Sequence, residues 1–292
     1  MNRLTLLSIT LLPLISTSSP AVAQHSTLGE GDSFAWAATL GWMELIPQRP
    51  APGDGVIVTD THLRGYGWSD STGWLNFGDG TPANGVRYGN TDGADSGVNH
   101  DGAGNLSGLA WSANLGWINF SWTTATDASR PRFDICTGHF SGYAWSPNAG
   151  WITLGTGLLS TDAIMIPDSD EDGISDSWEL DHAGGLALMK SSTDADSDGQ
   201  SDKQEYFADT DPGNAADNLS VLSFSSGVNS SQITWTSRPS RLYRIGQSTD
   251  LVVWSTGAGI APDAGTRTSR TVSHAASSRW LFRVEAVIPL QK

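Results

Sequence analysis

Two stretches of this sequence place oxygen donors at matched intervals. One runs Asp168-Ser169-Asp170-Glu171-Asp172-Gly173-Ile174-Ser175-Asp176-Ser177-Trp178-Glu179. The other runs Asp194-Ala195-Asp196-Ser197-Asp198-Gly199-Gln200-Ser201-Asp202-Lys203-Gln204-Glu205. Both carry a carboxylate at places one, three, five, nine and twelve, and a glycine at place six. Carboxylates at alternate places of a tight loop converge on one point, and the glycine permits the sharp turn that aims them. Calcium, a hard cation that takes roughly six to eight oxygens, suits such a set. The candidate ligands in the first loop are Asp168, Asp170, Asp172, the Ile174 carbonyl, Asp176 and Glu179. In the second they are Asp194, Asp196, Asp198, the Gln200 carbonyl, Asp202 and Glu205. The ninth residue would ligate directly or through water, and the twelfth from an exiting helix. Magnesium prefers strict octahedral geometry and keeps its waters, and neither loop offers the Cys or His that zinc favours. Without an ion the carboxylates repel one another, so ordering of the loops is expected to be metal-coupled.

The elements around these loops are short. Pro167 directly precedes the first loop and discourages an entering helix. The helix after Ile174 should end near Gly184-Gly185. This argues for a structural ion rather than a sensor that opens a groove. From Asp162 to Asp217 there are thirteen aspartates and three glutamates against two lysines, a net −14 of the protein's −15. A solvated linker would share that composition, but not the matched spacing. The segment resembles the calcium-binding repeats of the thrombospondin type 3 and dockerin-like classes, which use the loop of an EF-hand. Thr210-Asp211-Pro212 resembles the ending of bacterial versions, and by that resemblance Asp211 adds a ligand.

Upstream, one motif recurs four times. It places tryptophans six residues apart at Trp36/Trp42, Trp68/Trp74, Trp111/Trp117 and Trp145/Trp151, with a glycine before each second one. Turn formers such as Ser112-Ala113-Asn114 and Ser146-Pro147-Asn148 separate the members of a pair. Strand-like runs such as Trp117-Ile118-Asn119-Phe120 follow. The motif predicts β-hairpins that bring the tryptophans of a pair to facing or diagonal positions. The recurrent Gly-Trp context reads first as a tryptophan-rich core. The competing reading is an exposed aromatic platform that stacks on sugar rings. Gly142-Tyr143-Ala144-Trp145-Ser146-Pro147-Asn148-Ala149-Gly150-Trp151-Ile152 resembles a repeat of secreted and cell-surface bacterial proteins. That resemblance covers about residues 34 to 155 and implies no activity.

The remaining sequence fixes the context. Arg3, the apolar run Leu4 to Ile15 and Ala21-Val22-Ala23 read as an export signal, with the mature chain starting near Gln24. The run is too short to span a bilayer. The acidic balance excludes nucleic acid as a partner, because phosphate binding needs clustered Lys and Arg. Cys136 is the only cysteine and reads as a small buried residue. The six histidines are scattered and read as surface or turn residues. We find no zinc-protease helix, Gly-x-Ser-x-Gly elbow or P-loop. From about Asn218 strand patterning returns, as in Gln232-Ile233-Thr234-Trp235 and Leu242-Tyr243-Arg244-Ile245. This part resembles the terminal β-module that follows calcium repeats in secreted bacterial proteins.

The expectation is therefore a mainly β chain. It comprises a signal peptide (1–23), a repeat β-domain built of hairpins (24–161), a small calcium-loop segment with short helices (162–217) and a C-terminal β-sandwich-like module (218–292). The expected role is secreted, non-catalytic and calcium-binding, in adhesion or presentation at the bacterial cell surface. The alternative is a glycan-binding module using exposed tryptophans. The expected partners are calcium and an extracellular glycan or surface protein.

Overall fold

A computed structural model describes residues 25–49, 52–124, 126–276 and 279–291. The expected signal peptide lies outside the described residues. The four tryptophan hairpins of the repeat region supply eight strands: β1 (Leu28–Ala37), β2 (Gly41–Glu44), β3 (Tyr66–Ser69), β4 (Gly73–Asn76), β5 (Leu106–Ser112), β6 (Gly116–Asn119), β7 (Tyr143–Ser146) and β8 (Gly150–Thr153). They pair antiparallel in chain order, and β8 pairs back onto β1 to close an eight-stranded barrel.

Each hairpin turns through three residues and re-enters the sheet on a glycine at positive φ, from 74° to 83° at Gly41, Gly73, Gly116 and Gly150. A β-carbon is strained there, which explains the glycine before each second tryptophan. The tryptophans of a pair are direct cross-strand partners in all four hairpins. At every junction between hairpins the register steps. Glu44, Asn76, Asn119 and Thr153 thereby lie opposite Trp68, Trp111, Trp145 and Trp36. Such a repeated stagger tilts the strands and lets the sheet close.

The interior of the barrel is filled by small residues facing large ones. The pairs are Ala35 with Met43, Gly67 with Leu75, Ala110 with Ile118 and Ala144 with Ile152, and all eight residues are buried. An eight-stranded barrel is only wide enough for side chains to fill, so a small residue on one strand makes room for a branched one opposite. Indoles do not fit. The tryptophans alternate with these residues and point outward, so the expected tryptophan core is not found. The core cluster is built of aliphatic residues and phenylalanines, and it takes in Leu63, Leu106, Phe133, Phe140 and Leu159 as well.

The four tight turns are tied to one another in a ring. Ser71 Oγ donates to the Leu40 carbonyl at 2.9 Å, and Asn114 Nδ2 to that of Thr72 at 2.9 Å. Asn148 Nδ2 donates to the Leu115 carbonyl at 2.9 Å, and Thr39 Oγ1 to that of Ala149 at 2.7 Å. The polar residues between the tryptophans are therefore turn-to-turn staples as well as turn formers.

Two short helices, α1 (Asp176–Ala183) and α2 (Asp202–Ala208), follow the barrel. Ser175 caps α1 and Gly184 ends it in a left-handed conformation. Ser201 and Gln204 form a capping box on α2. The helices share a core of Ile174, Trp178, Met189 and Tyr206, joined by Ile288 from the end of the chain. The C-terminal part has six strands, β9 (Val221–Ser226), β10 (Ser230–Thr236), β11 (Leu242–Ser248), β12 (Ser255–Thr256), β13 (Arg267–Ser273) and β14 (Leu281–Val287). They make two three-stranded sheets, β9-β10-β13 and β12-β11-β14. Ile233, Trp235, Tyr243 and Ile245 form the buried cluster of this part.

Candidate metal centre

Both acidic loops fold to the same local pattern. Asp168, Asp170 and Asp172 offer carboxylate oxygens that all lie within 4.8 Å of one another, and so do Asp194, Asp196 and Asp198. Each triplet can hold a metal ion. The turn that gathers them runs through left-handed backbone at place four (Glu171, φ 59°; Ser197, φ 64°) and at place six (Gly173, φ 88°; Gly199, φ 95°). In each loop the first aspartate accepts the sixth-place N–H: Gly173 to Asp168 Oδ2 at 2.9 Å, and Gly199 to Asp194 Oδ2 at 3.0 Å. The fifth accepts the seventh-place N–H, Ile174 to Asp172 at 2.9 Å and Gln200 to Asp198 at 2.7 Å. Asp194 also accepts the Asp198 N–H on its other oxygen at 3.2 Å, whereas in Asp168, Asp172 and Asp198 one oxygen is left unused. Asp168 Oδ1, Asp172 Oδ2, Asp196 Oδ2 and Asp198 Oδ2 are buried with no hydrogen-bond partner among the described residues.

The twelfth-place glutamates complete the picture. Glu179 and Glu205 lie on α1 and α2, and both are 0% exposed. Among the described residues, both oxygens of Glu179 and Oε2 of Glu205 have no hydrogen-bond partner. A buried, unpaired carboxylate is strongly unfavourable. Burial, then the charges of Asp170, Asp172, Asp176 and Asp168, push Glu179 up to about 7. Burial, then Asp196, Asp198 and Asp202, do the same to Glu205. Seven buried carboxylate oxygens in the two loops therefore have no hydrogen-bond partner among the described residues, a deficit that a cation at each aspartate triplet would lessen.

The ninth-place aspartates are placed differently from the triplets. Asp176 accepts the Ser169 N–H at 2.7 Å and its hydroxyl at 2.5 Å. Asp202 accepts the Ala195 N–H at 3.0 Å and the Thr193 hydroxyl at 2.5 Å. Each is the first residue of its helix and closes the loop at its second residue, outside the three-aspartate cluster. Ile174 is fully buried in the core between the helices, and Gln200 is half-buried. Asp211 caps its own turn by accepting the Gly213 N–H at 3.0 Å.

The two loops are joined to each other and to the rest of the chain. Lys203 Nζ of the second loop donates to the Asp172 carbonyl of the first at 2.8 Å. On the barrel side, Ser175 and Ser177 hydroxyls both donate to Asp60 Oδ2, and Arg87 pairs with Asp181 at 3.4 Å. On the C-terminal side, Arg241 donates to the carbonyls of Tyr206 at 2.7 Å and Phe207 at 3.0 Å, at the end of α2. A cation there satisfies carbonyls that the helix itself leaves open. Asp60 and Arg241 are not recognisable as joints from local sequence, because their partners lie more than thirty residues away.

The outer wall of the barrel carries the tryptophans. Trp36, Trp42, Trp111, Trp117, Trp145 and Trp151 are between 36% and 52% exposed, and Trp68 and Trp74 are half-buried. Two further expectations are corrected here. His62 and His100 are buried, not surface residues; burial holds both below the ordinary histidine range. Cys136 is exposed, not buried. Partial burial and then Asp134 push its thiol up, opposite to the shift that activates a cysteine nucleophile. No protein-family model, curated protein or solved structure matches this chain.

Proposed function

We propose that this is an exported, non-catalytic, calcium-binding protein that presents its barrel at or beyond the bacterial cell surface, in adhesion or display. Calcium in the two loops stiffens the joint between the barrel and a sandwich-like C-terminal module. The observation that carries this reading is the burial of Glu179 and Glu205 with unpartnered oxygens beside their aspartate triplets. The donors are all oxygens and belong to flexible carboxylates, which suits calcium better than magnesium or zinc. Extracellular loops of this class bind at roughly 10⁻⁴ to 10⁻³ M.

Calorimetric titration of the mature chain tests the reading. Asp170→Ala and Asp196→Ala should each remove about one equivalent of calcium, because each deletes a central ligand. Absence of binding at millimolar calcium sinks the proposal. A second reading, glycan binding by the barrel, is favoured by the six tryptophans that face solvent. The two are compatible, with the loops supplying rigidity and the wall supplying recognition.

A further inference from the structure

We propose that the outer face of β4, β5, β6 and β7 is a sugar-binding face whose occupant is a neutral pyranose glycan; this rests on the glycan-binding reading above. Two rows cross this face. In the first, Asn76 of β4 lies opposite Trp111 of β5, which lies opposite Trp117 of β6. In the second, Leu109 of β5 lies opposite Asn119 of β6, which lies opposite Trp145 of β7. Each carboxamide therefore stands beside an indole that is more than a third exposed.

The amides are oriented by the backbone. Asn76 Oδ1 accepts the Gly78 N–H at 2.9 Å, and Asn119 Oδ1 accepts the Ser121 N–H at 2.6 Å. Their nitrogens are left as donors without a partner among the described residues. A flat apolar ring beside a fixed donor is the chemistry that recognises a pyranose, which offers C–H bonds on its face and hydroxyls at its rim.

The other two junctions place Glu44 opposite Trp68 and Thr153 opposite Trp36, so no carboxamide stands beside an indole there. The guanidinium of Arg49 lies over the Trp68 ring at 4.5 Å, and Trp68 Nε1 donates to Asp70 at 2.8 Å. Charge selects the occupant. None of the four strands contains a charged residue, in a protein of net charge −15. Anionic polymers are repelled by the whole and find no cation on this face, whereas a neutral sugar meets neither penalty.

The full mature chain, with calcium, is titrated with cellohexaose, chitohexaose and a hyaluronate oligosaccharide, and with phosphatidylcholine vesicles. The expected result is binding of a neutral oligosaccharide that Trp111→Ala and Trp145→Ala each weaken by about tenfold or more. Asn119→Asp keeps the acceptor for Ser121 and removes the donor, and should weaken binding by about three- to tenfold; this near-isosteric change keeps the test decisive if the alanine variants fail to fold. Trp36→Ala and Trp42→Ala, on the opposite wall, should leave affinity unchanged. Loss in these two but not in Trp111→Ala moves the site elsewhere and overturns the proposal, while glycan binding itself stands. Binding to hyaluronate alone or to vesicles alone overturns the occupant. No binding to any of these sugars, nor to a broader glycan array, ends both readings.

Discussion

The buried glutamates make a prediction whose sign reverses with the metal. Consider Glu205→Gln in the chelated protein. Glu205 is fully buried and its carboxyl is raised from 4.5 to about 7. The folded state therefore holds this proton more tightly than the unfolded state does. Stability from this group is fully present below about pH 4.5 and is lost as pH rises through about 7. Over that range the loss is about 3 kcal/mol, at 1.36 kcal/mol per unit. Glutamine keeps the shape and carries no charge. In EDTA at pH 8, Glu205→Gln should thus stabilise the loop region by up to about 3 kcal/mol, and at pH 4.5 the gain should vanish. In saturating calcium the same variant loses a ligand and should be less stable than the parent. Hydrogen exchange of the amides in α1 and α2 reads the local free energy under all three conditions. A variant that is neutral or destabilising at pH 8 in EDTA refutes the claim that an uncompensated charge sits there.

Other expectations follow from packing and joints. Gly173→Ala forces a β-carbon into left-handed backbone and to 2.0 Å from Lys203 Nζ; it should destabilise the segment by about 2 kcal/mol. Gly199→Ala, which meets nothing within 4 Å, should cost only about 1 kcal/mol for the backbone, and urea midpoints of the two separate these contributions. Ala144→Leu overfills the barrel opposite Ile152 and should destabilise it by about 1–3 kcal/mol in equilibrium denaturation. Asp60→Ala removes the acceptor of both Ser175 and Ser177. It should speed exchange in α1 by about tenfold or more while leaving the barrel strands protected.

The gathering of each aspartate triplet is legible in the sequence because its constraints are local. Carboxylates at places one, three and five can only converge if place six turns sharply, and Gly173 and Gly199 do so. The ninth place is not legible in the same way. Asp176 and Asp202 follow the caps Ser175 and Ser201, and an aspartate at the start of a helix has backbone donors of its own to meet. The hairpins were also readable, since a six-residue interval with a turn between fixes which tryptophans pair. Which side they face depends on the neighbour. The residue before each first tryptophan is Ala35, Gly67, Ala110 or Ala144, and those small side chains are the ones a narrow barrel takes inward. The closure of β8 onto β1 and the ring of turn contacts are long-range, and no window of sequence displays them.

The closed ring of turns has a consequence for how such a chain can vary over generations. In an open array, a gene can gain or lose one unit and the neighbours simply restack. Here a fifth hairpin would make a ten-stranded tube of larger diameter, and alanine and glycine facing single aliphatic side chains would leave its centre hollow. Copy number is thereby locked at four, and diversification is channelled into the long connections at the opposite rim, where additions leave the circle of turns untouched.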